Sequence, residues 1–192
     1  TKAHAQPAGG TANSIPARPT SGDQKALGKL LLAIETGKKE EIEALLKADA
    51  PVNGFDGYRT PLLVAIANSN LQAAELLLAK GANINFDPYT ERLGALSSWY
   101  SHLHAAATFN PTADKAKVHV DLVRLLLRKG ADISKKDRSG KTPFWRAVEK
   151  AKREVLEALI EKGSDIHAVS ADGECAIRLA TMSGNMDAVA VL

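Results

Sequence analysis

The sequence has one cysteine, few aromatic residues and no long apolar run, and each shortage excludes a class of protein. A single cysteine, Cys175, rules out a disulfide framework within the chain. No stretch approaches the roughly 18 apolar residues that a membrane-spanning helix requires. The formal charge of +3 is small and the two signs are mixed, so composition does not indicate a nucleic-acid partner. With 192 residues and 45% hydrophobic content, we expect one soluble domain.

Sequence signatures of catalysis are missing as well. The chain contains no P-loop, dinucleotide fingerprint, H-E-x-x-H zinc motif or G-x-S-x-G nucleophile motif. Cys175 has no histidine or other base beside it in the sequence, which favours a small structural residue over a reactive thiol. We therefore predict that the chain is not an enzyme and that it binds no cofactor and no metal.

Helix start and stop signals are present in several copies. Thr60-Pro61 and Thr142-Pro143 each predict a helix start, because threonine accepts orphan amide hydrogen bonds and proline suits the first helical position. Apolar residues then recur at helical spacing until a glycine supplies a left-handed residue that ends a second helix. These stop glycines are Gly81, Gly130 and Gly163. Each unit is predicted to be a helix, a turn, a helix and a loop.

These units repeat at a nearly constant spacing. The step from Gly130 to Gly163 is 33 residues, and the step from Asp49 to Gly81, which hold equivalent places, is 32. One helix pair cannot bury its apolar face alone, so neighbouring pairs are expected to stack into a short, curved solenoid.

Two sequence elements connect this pattern to a known family. Asp137 to Ala147 follows the template D-x-x-G-x-T-P-L-H-x-A, with Trp145 at the histidine position. Leu76 to Asn85 and Leu125 to Ile133 follow the closing element V-x-x-L-L-x-x-G-A-D-x-N. On these residues, the chain after its first two dozen positions resembles the ankyrin-repeat family. The resemblance implies an all-α ankyrin-repeat solenoid of about five helix-turn-helix repeats that binds another protein through a concave face of loops and first helices.

The predicted domain organisation follows from this alignment. Residues 1–24 are rich in Ala, Pro and Gly and are expected to form a flexible N-terminal segment before an ankyrin-repeat domain over residues 25–192. The five predicted repeats cover residues 25–55, 56–86, 87–136, 137–168 and 169–192.

Repeat three is longer than the others. Gly81 and Gly130 are 49 residues apart, and the excess of 16 divides into two insertions of 8. The first is predicted to extend the loop over Asp87 to Tyr100, and the second to lengthen the turn between the two helices around Thr108 to Lys117. Long loops on a rigid scaffold tend to carry binding functions.

Aromatic and basic residues near these loops form the predicted partner-binding set. Seven of the nine aromatic residues lie between positions 55 and 109, and exposed aromatic rings typically anchor interfaces. A basic segment follows, which favours an acidic partner surface. Two alternatives stay open: Trp99 and Tyr100 could pack the insertion onto the repeats, and the basic residues could be a solvated surface. The set comprises Phe55, Tyr58, Arg59, Phe86, Tyr89, Arg92, Trp99, Tyr100, Phe109, Lys135, Lys136, Arg138 and Lys141.

Three histidines, His102, His104 and His119, raise the alternative of an imidazole site. The resemblance favours a structural role, because His104 falls at the T-P-L-H position, where the family's ring bonds backbone between repeats.

The function predicted from these features is stoichiometric binding of another protein without insertion into a membrane. The most specific hypothesis is an immunity or inhibitor protein, similar to bacterial ankyrin proteins, that neutralises a secreted toxin or hydrolase as a monomer in a 1:1 complex. The alternative is a general scaffold or adaptor in the cytoplasm. These two hypotheses differ in whether the neighbouring gene encodes a toxin or hydrolase.

The two ends of the sequence leave further alternatives open. Ala3-His4-Ala5 is compatible with cleavage of a secretory leader, so a periplasmic or exported location and a cytoplasmic one both remain. Leu192 falls inside the last predicted helix, which predicts that further chain or a partner covers the apolar edge there.

Overall fold

The computed structural model describes residues 21–57, 59–86, 101–150 and 152–192, and within them the helices form five consecutive pairs. A single turn of 3-10 helix, Ala113–Lys115, precedes the second helix of the third pair. The pairs are α1 (Ser21–Glu35) with α2 (Lys39–Lys47), α3 (Pro61–Ala67) with α4 (Leu71–Ala79), α5 (His102–Thr108) with α6 (Ala116–Arg128), α7 (Pro143–Glu149) with α8 (Arg153–Glu161), and α9 (Ala176–Met182) with α10 (Met186–Val191). The predicted all-α solenoid of five helix-turn-helix repeats is confirmed.

Helix α1 is longer than the other first helices. It spans Ser21–Glu35, so it includes residues before the predicted repeat boundary at Lys25. Residues 1–20, which include Ala3-His4-Ala5 and most of the predicted N-terminal segment, lie outside the described ranges.

The helix starts agree with the sequence signals. Thr60 accepts a hydrogen bond from the Leu63 amide at 3.1 Å, and Thr142 accepts one from the Trp145 amide at 3.3 Å. Pro61 and Pro143 occupy the first helical positions. Ser101 caps α5 in the same way as the two threonines, so α3, α5 and α7 each begin with a hydroxyl cap.

The helix ends agree as well. Gly81, Gly130 and Gly163 have φ angles of +86°, +89° and +86°, in the left-handed region that glycine adopts without a Cβ penalty. Asp49 holds the equivalent place in repeat one at φ +56°. The chain therefore turns out of each of these second helices in the same conformation.

The helices stack in two rows. The first helices α1, α3, α5, α7 and α9 contact one another in order, and the second helices α2, α4, α6, α8 and α10 form the other row. Leu30, Leu62, Leu103 and Phe144 occupy the same place in successive first helices and are at most 1% exposed. Each repeat thus covers the apolar side of its neighbour, which is the source of solenoid stability.

Asparagine side chains join successive loops. Asn53 donates to the Gly81 carbonyl at 3.1 Å and accepts from the Asn83 amide at 2.7 Å. Asn85 repeats the pattern one unit later, with the Gly130 carbonyl at 3.1 Å and the Asp132 amide at 2.8 Å. These bonds fix the spacing of the first three loops along the stack.

Two lysine side chains join the second insertion of repeat three to repeats two and four. Lys115 donates to the Asn68 carbonyl in repeat two at 3.2 Å. Lys152, which precedes α8 in repeat four, donates to the Phe109 carbonyl at 2.7 Å and to Asn110 at 2.9 Å. The insertion therefore ties three repeats together. The first insertion, Asp87 to Tyr100, lies outside the described ranges.

Candidate protein-binding surface

An apolar groove lies between α3 and α5, on the side of the first helices that points away from the second helices. We call this the first-helix face. The groove is lined by Leu63 and Ala67 from α3, by Ala105 and Thr108 from α5, and by Phe109. Its lining combines the short side chains of Ala67 and Ala105 with the larger ones of Leu63 and Phe109. The groove suits an apolar side chain from a partner.

Arg59 closes one end of the groove. Its Nε donates to Asp56 Oδ2 at 3.1 Å, and its terminal nitrogen forms an ion pair with Glu35 at the end of α1. The Asp56 carboxylate also accepts the Arg59 amide at 2.7 Å. Arg59, one of the predicted partner-binding residues, is therefore held at the groove edge by carboxylates from repeats one and two.

Four charged side chains form a network on the first-helix face of repeat four. Arg146 donates to Asp137 at 2.7 Å through Nε and forms an ion pair with Glu149 at 2.9 Å. Lys141 reaches the other Glu149 oxygen at 2.9 Å and lies 3.8 Å from the centre of the Trp145 ring. Two acids and two bases give this network no net charge.

This network corrects one prediction about charge. Lys141 was expected to contribute to a cationic end of the binding surface, but Glu149 neutralises it because both side chains converge on the same face. Lys135 is half-buried, whereas Lys136 and Arg138 are exposed on the loop before α7. The charge of Lys141 is therefore offset within the network.

The predicted aromatic anchors separate into three groups. Phe55 is only 9% exposed, so its ring packs inside the fold, which corrects the expectation of an exposed anchor. Phe86 and Phe109 are half-buried, and Phe109 lines the groove. The remaining predicted site residues in this region lie outside the described ranges: Tyr58, Tyr89, Arg92, Trp99 and Tyr100.

His104 links repeat three to repeat four. Its Nε2 lies 3.0 Å from the Lys141 carbonyl and its Nδ1 lies 2.9 Å from the Ser101 hydroxyl. A carbonyl oxygen only accepts, so Nε2 carries the proton and Nδ1 accepts from the hydroxyl. Burial disfavours the charged ring and lowers the pKa of His104. The predicted structural role of His104 is confirmed.

His102 links repeat three to repeat two. Its Nδ1 donates to the Ile84 carbonyl at 3.0 Å, and its Nε2 accepts from the Thr60 hydroxyl at 2.9 Å. Both ring nitrogens are thus engaged in bonds within the fold. Among the residues that the structure describes, no group of three His, Cys, Asp or Glu side chains is placed to hold a metal ion.

His119 occupies a buried position behind Phe109. Its Nε2 donates to the Ala106 carbonyl at 2.9 Å, and its Nδ1 accepts from the Ser69 hydroxyl at 3.0 Å. The Phe109 ring packs against the imidazole with 5.4 Å between ring centres. Burial, with a smaller contribution from the charge of Lys152, lowers the pKa of His119. The wall of the groove at Phe109 therefore rests on a neutral histidine.

Arg59 and Phe109 were in the predicted set, whereas the other groove residues were not, although the sequence carried a usable signal for them. Leu63 and Ala67 follow the Thr60 cap by three and seven positions, and Ala105 and Thr108 follow the Ser101 cap by four and seven. Residues at this spacing lie on one side of a helix. Arg146 and Glu149 hold the same positions after Thr142, which explains why they share this face.

Cys175 stands at the cap position of α9 and is half-buried, and its side chain makes no capping bond. Within the described ranges, none of the helices has the length and apolar character needed to cross a membrane.

Comparison with known proteins adds to this description. A family model for ankyrin repeats in three copies matches residues 17–87 and 103–192. The interval between these ranges contains most of the first predicted insertion. The chain is 32% identical over 142 residues to the B-cell lymphoma 3 protein homolog of Mus musculus, which covers 73% of this chain and 28% of that protein.

Two further relatives show the same pattern. Ankyrin repeat and SOCS box protein 6 of Mus musculus is 33% identical over 133 residues, covering 68% of this chain and 28% of that protein. A transient receptor potential cation channel subfamily A member 1 homolog of Caenorhabditis elegans is 29% identical over 140 residues, covering 72% of this chain and 10% of that protein. The chain thus spans less than a third of the length of these relatives.

Proposed function

Because the chain belongs to the ankyrin-repeat family, whose repeats bind other proteins and are generally not enzymes, we propose that it recognises a partner protein through its first-helix face. The groove between α3 and α5 is the anchoring site of this interaction. The observation that carries the proposal is the apolar lining of this groove, which includes Leu63 and Phe109.

The groove is suited to an apolar side chain because its lining is apolar and already in place. Burying a leucine, methionine or phenylalanine side chain in such a site contributes about 2 kcal/mol. Phe109 is held from behind by His119 and through its carbonyl by Lys152, so little ordering is needed when a partner binds. A pre-organised site loses less conformational entropy on binding.

The surroundings of the groove are polar. Arg59 and its two carboxylates lie at one end, and the network around Arg146 lies on the next repeat. Both are internally paired, so the surface beside the groove favours hydrogen-bonding groups over a strongly charged partner. Lys136, exposed on the loop before α7, is where an acidic segment of the partner would be attracted.

Two forms of this function differ in what happens to the partner. An adaptor holds its partner without changing the partner's activity, whereas an inhibitor of a toxin or hydrolase covers an active site. The adaptor form is favoured, because the relatives carry the matched segment as a part of much longer proteins. The inhibitor form is a narrower proposal that requires loss of the partner's activity at a 1:1 ratio.

The groove is tested with two alanine-to-arginine variants. Ala67 and Ala79 are both exposed and both end a helix, but Ala67 lies in the groove and Ala79 lies on the second-helix row. Ala67→Arg and Ala79→Arg therefore add the same charge at matched positions. Wild type and both variants are used to retain proteins from the source cells, and the retained proteins are identified by mass spectrometry.

We expect a partner that wild type and Ala79→Arg retain and that Ala67→Arg loses. With that partner purified, Ala67→Arg should weaken its binding at least tenfold, which corresponds to about 1.4 kcal/mol. Equal binding by the two variants would exclude the groove. An activity assay of the purified partner then separates the adaptor from the inhibitor.

A further inference from the structure

His119 replaces an asparagine that other repeats use at the same position. Asn70 and Asn185 cap α4 and α10, and each donates its side-chain N–H to a carbonyl of the preceding repeat, Ile34 at 3.2 Å and Val148 at 2.9 Å. His119 also connects to the preceding repeat, but through Ser69 and with a ring that can take up a proton. Repeat three thus has a titratable group at a junction where repeats two and five do not.

Ser69 bonds to His119 from a strained backbone conformation. It has φ +51°, whereas the equivalent positions in repeats one and five are Gly37 at +70° and Gly184 at +65°. Glycine adopts this left-handed conformation freely, and a residue with a Cβ is strained there. The serine hydroxyl supplies the 3.0 Å hydrogen bond to His119 that a glycine could not make.

The ring of His119 is coupled directly to the groove. The Phe109 ring packs on it at an interplanar angle of 42°, and Phe109 lines the groove together with Ala105 and Thr108. The other nitrogen of the imidazole holds the Ala106 carbonyl in α5, the helix that forms one wall. A change at His119 therefore acts on both Phe109 and α5, which line the groove.

Burial and the charge of Lys152 oppose a second proton on the His119 ring, whereas the bond to the Ala106 carbonyl favours it. Lys152 approaches from the start of α8 and acts on the ring electrostatically, with Glu154 acting on Lys152 in turn. The turn before α6 carries Asp114 and Lys115, and α6 itself carries Lys117 and Asp121 on either side of His119. His119 is 1% exposed. Its ring nitrogens contact the Ala106 carbonyl of α5 and the Ser69 hydroxyl of the turn between α3 and α4. A charged imidazole would be poorly solvated here, and burial lowers its pKa accordingly.

We propose that His119 is an acid-sensitive latch on the groove. When the ring takes up a proton at Nδ1, it can no longer accept from Ser69, and the new charge drives it away from its buried site and from Lys152. The Phe109 ring then loses the imidazole behind it and the groove opens, so that the partner is bound at neutral pH and released in acid. Release of a partner in acid rests on the proposed function, whereas the opening of the groove in acid is a property of the chain alone.

The test compares wild type with His119→Asn, the residue that the chain itself uses at this position in repeats two and five. Amide hydrogen exchange is followed by NMR at pH 7.5 and 5.5, corrected for intrinsic exchange rates, and the histidine rings are titrated in the same samples. In wild type, amides of residues 102–119 should lose protection at least tenfold in acid, whereas in His119→Asn they should change less than threefold. His102 and His104 remain in the variant and report what the other rings contribute.

An equal loss of protection in both proteins, or no loss in wild type, would overturn the latch. If His119→Asn fails to fold, the wild-type titration decides: the Phe109 amide shift must follow the curve of the His119 ring, and a curve that follows another histidine contradicts the inference. No partner is used, so failure of the latch and failure of the proposed binding function are separate results.

Discussion

Trp145 donates its indole N–H to the backbone carbonyl of Glu174 at 3.3 Å. Glu174 immediately precedes Cys175, the cap position of α9, and His104 makes the corresponding bond to Lys141, immediately before the Thr142 cap of α7. The indole thus takes over the role of the imidazole at the T-P-L-H position. In both repeats, a ring N–H of a first helix fixes the start of the next one.

Replacing Trp145 with phenylalanine tests this bond. Trp145→Phe keeps a buried aromatic ring but removes the N–H donor, so we expect the free energy of unfolding to fall by about 1–2 kcal/mol. Urea denaturation at pH 7.5 measures the change. Trp145→His provides the control, because it keeps a ring donor while losing ring volume. A change below about 0.5 kcal/mol in Trp145→Phe would show that the indole bond contributes nothing measurable.

The parts of the fold that sequence predicted correctly are those set by local chemistry. The caps at Thr60 and Thr142 and the turns at Gly81 and Gly130 depend on backbone geometry within a few residues. The period between these signals then determined the stacking. Phe55 is 9% exposed and lies in one pocket lining with Leu27 and Leu31 of α1, 28 and 24 positions earlier, so its local sequence does not show its burial.

The groove could not be predicted from local signals alone. It exists because Ala67 and Ala105, which are 38 positions apart and separated by an insertion, face each other across two helices. The charge on Lys141 was misjudged for the same reason, since Glu149 reaches it only when α7 has folded beside its loop. Periodicity shows which side of a helix a residue lies on, but the identity of its neighbour depends on the register between repeats.

Among the left-handed glycines of the described residues, we predict that Gly140 tolerates substitution least. A Cβ there would lie 2.7 Å from the Ala171 amide nitrogen of the next loop, at φ +69°. Gly140→Ala should therefore cost about 2–4 kcal/mol, the sum of left-handed strain and a backbone clash. At Gly130, φ is +89° but a Cβ would meet nothing within 4 Å, so Gly130→Ala should cost only about 1 kcal/mol. Equal losses in urea denaturation would contradict the clash.

The Asp137 carboxylate should matter far more than a surface acid. Its side chain is 2% exposed, and it accepts from Arg146 as well as from the Ser139 and Lys141 amides. Asp137→Ala leaves a largely buried guanidinium with Glu149 as its remaining carboxylate in this network, so we expect a loss of about 3 kcal/mol.

The control for Asp137 is the exposed pair between Arg153 and Glu157, whose side chains are 51% and 41% exposed. Glu157→Gln should change the free energy of unfolding by less than about 0.5 kcal/mol. Chemical denaturation of both variants at pH 7.5 measures the difference. Comparable losses would mean that the Asp137 pair behaves as a surface ion pair.

The stability of the chain is predicted to fall in acid because of its buried neutral histidines. Burial lowers the pKa of His104 and of His119 in the folded chain, whereas in the unfolded chain each titrates near 6.5. Below about pH 6.5 the unfolded chain takes up protons that the folded chain does not, so stability present above that pH is lost as the pH falls.

Each histidine that stays neutral contributes a slope of at most about 1.4 kcal/mol per pH unit below that point. His104→Gln keeps an N–H donor for the Lys141 carbonyl but does not titrate, so the variant should lose the part of the slope that His104 contributes. Urea denaturation at pH 7.5, 6.5 and 5.5 measures the slope for both proteins. An unchanged slope in His104→Gln would mean that the His104 ring becomes charged within the folded chain, and that its bond to Lys141 does not depend on the neutral form.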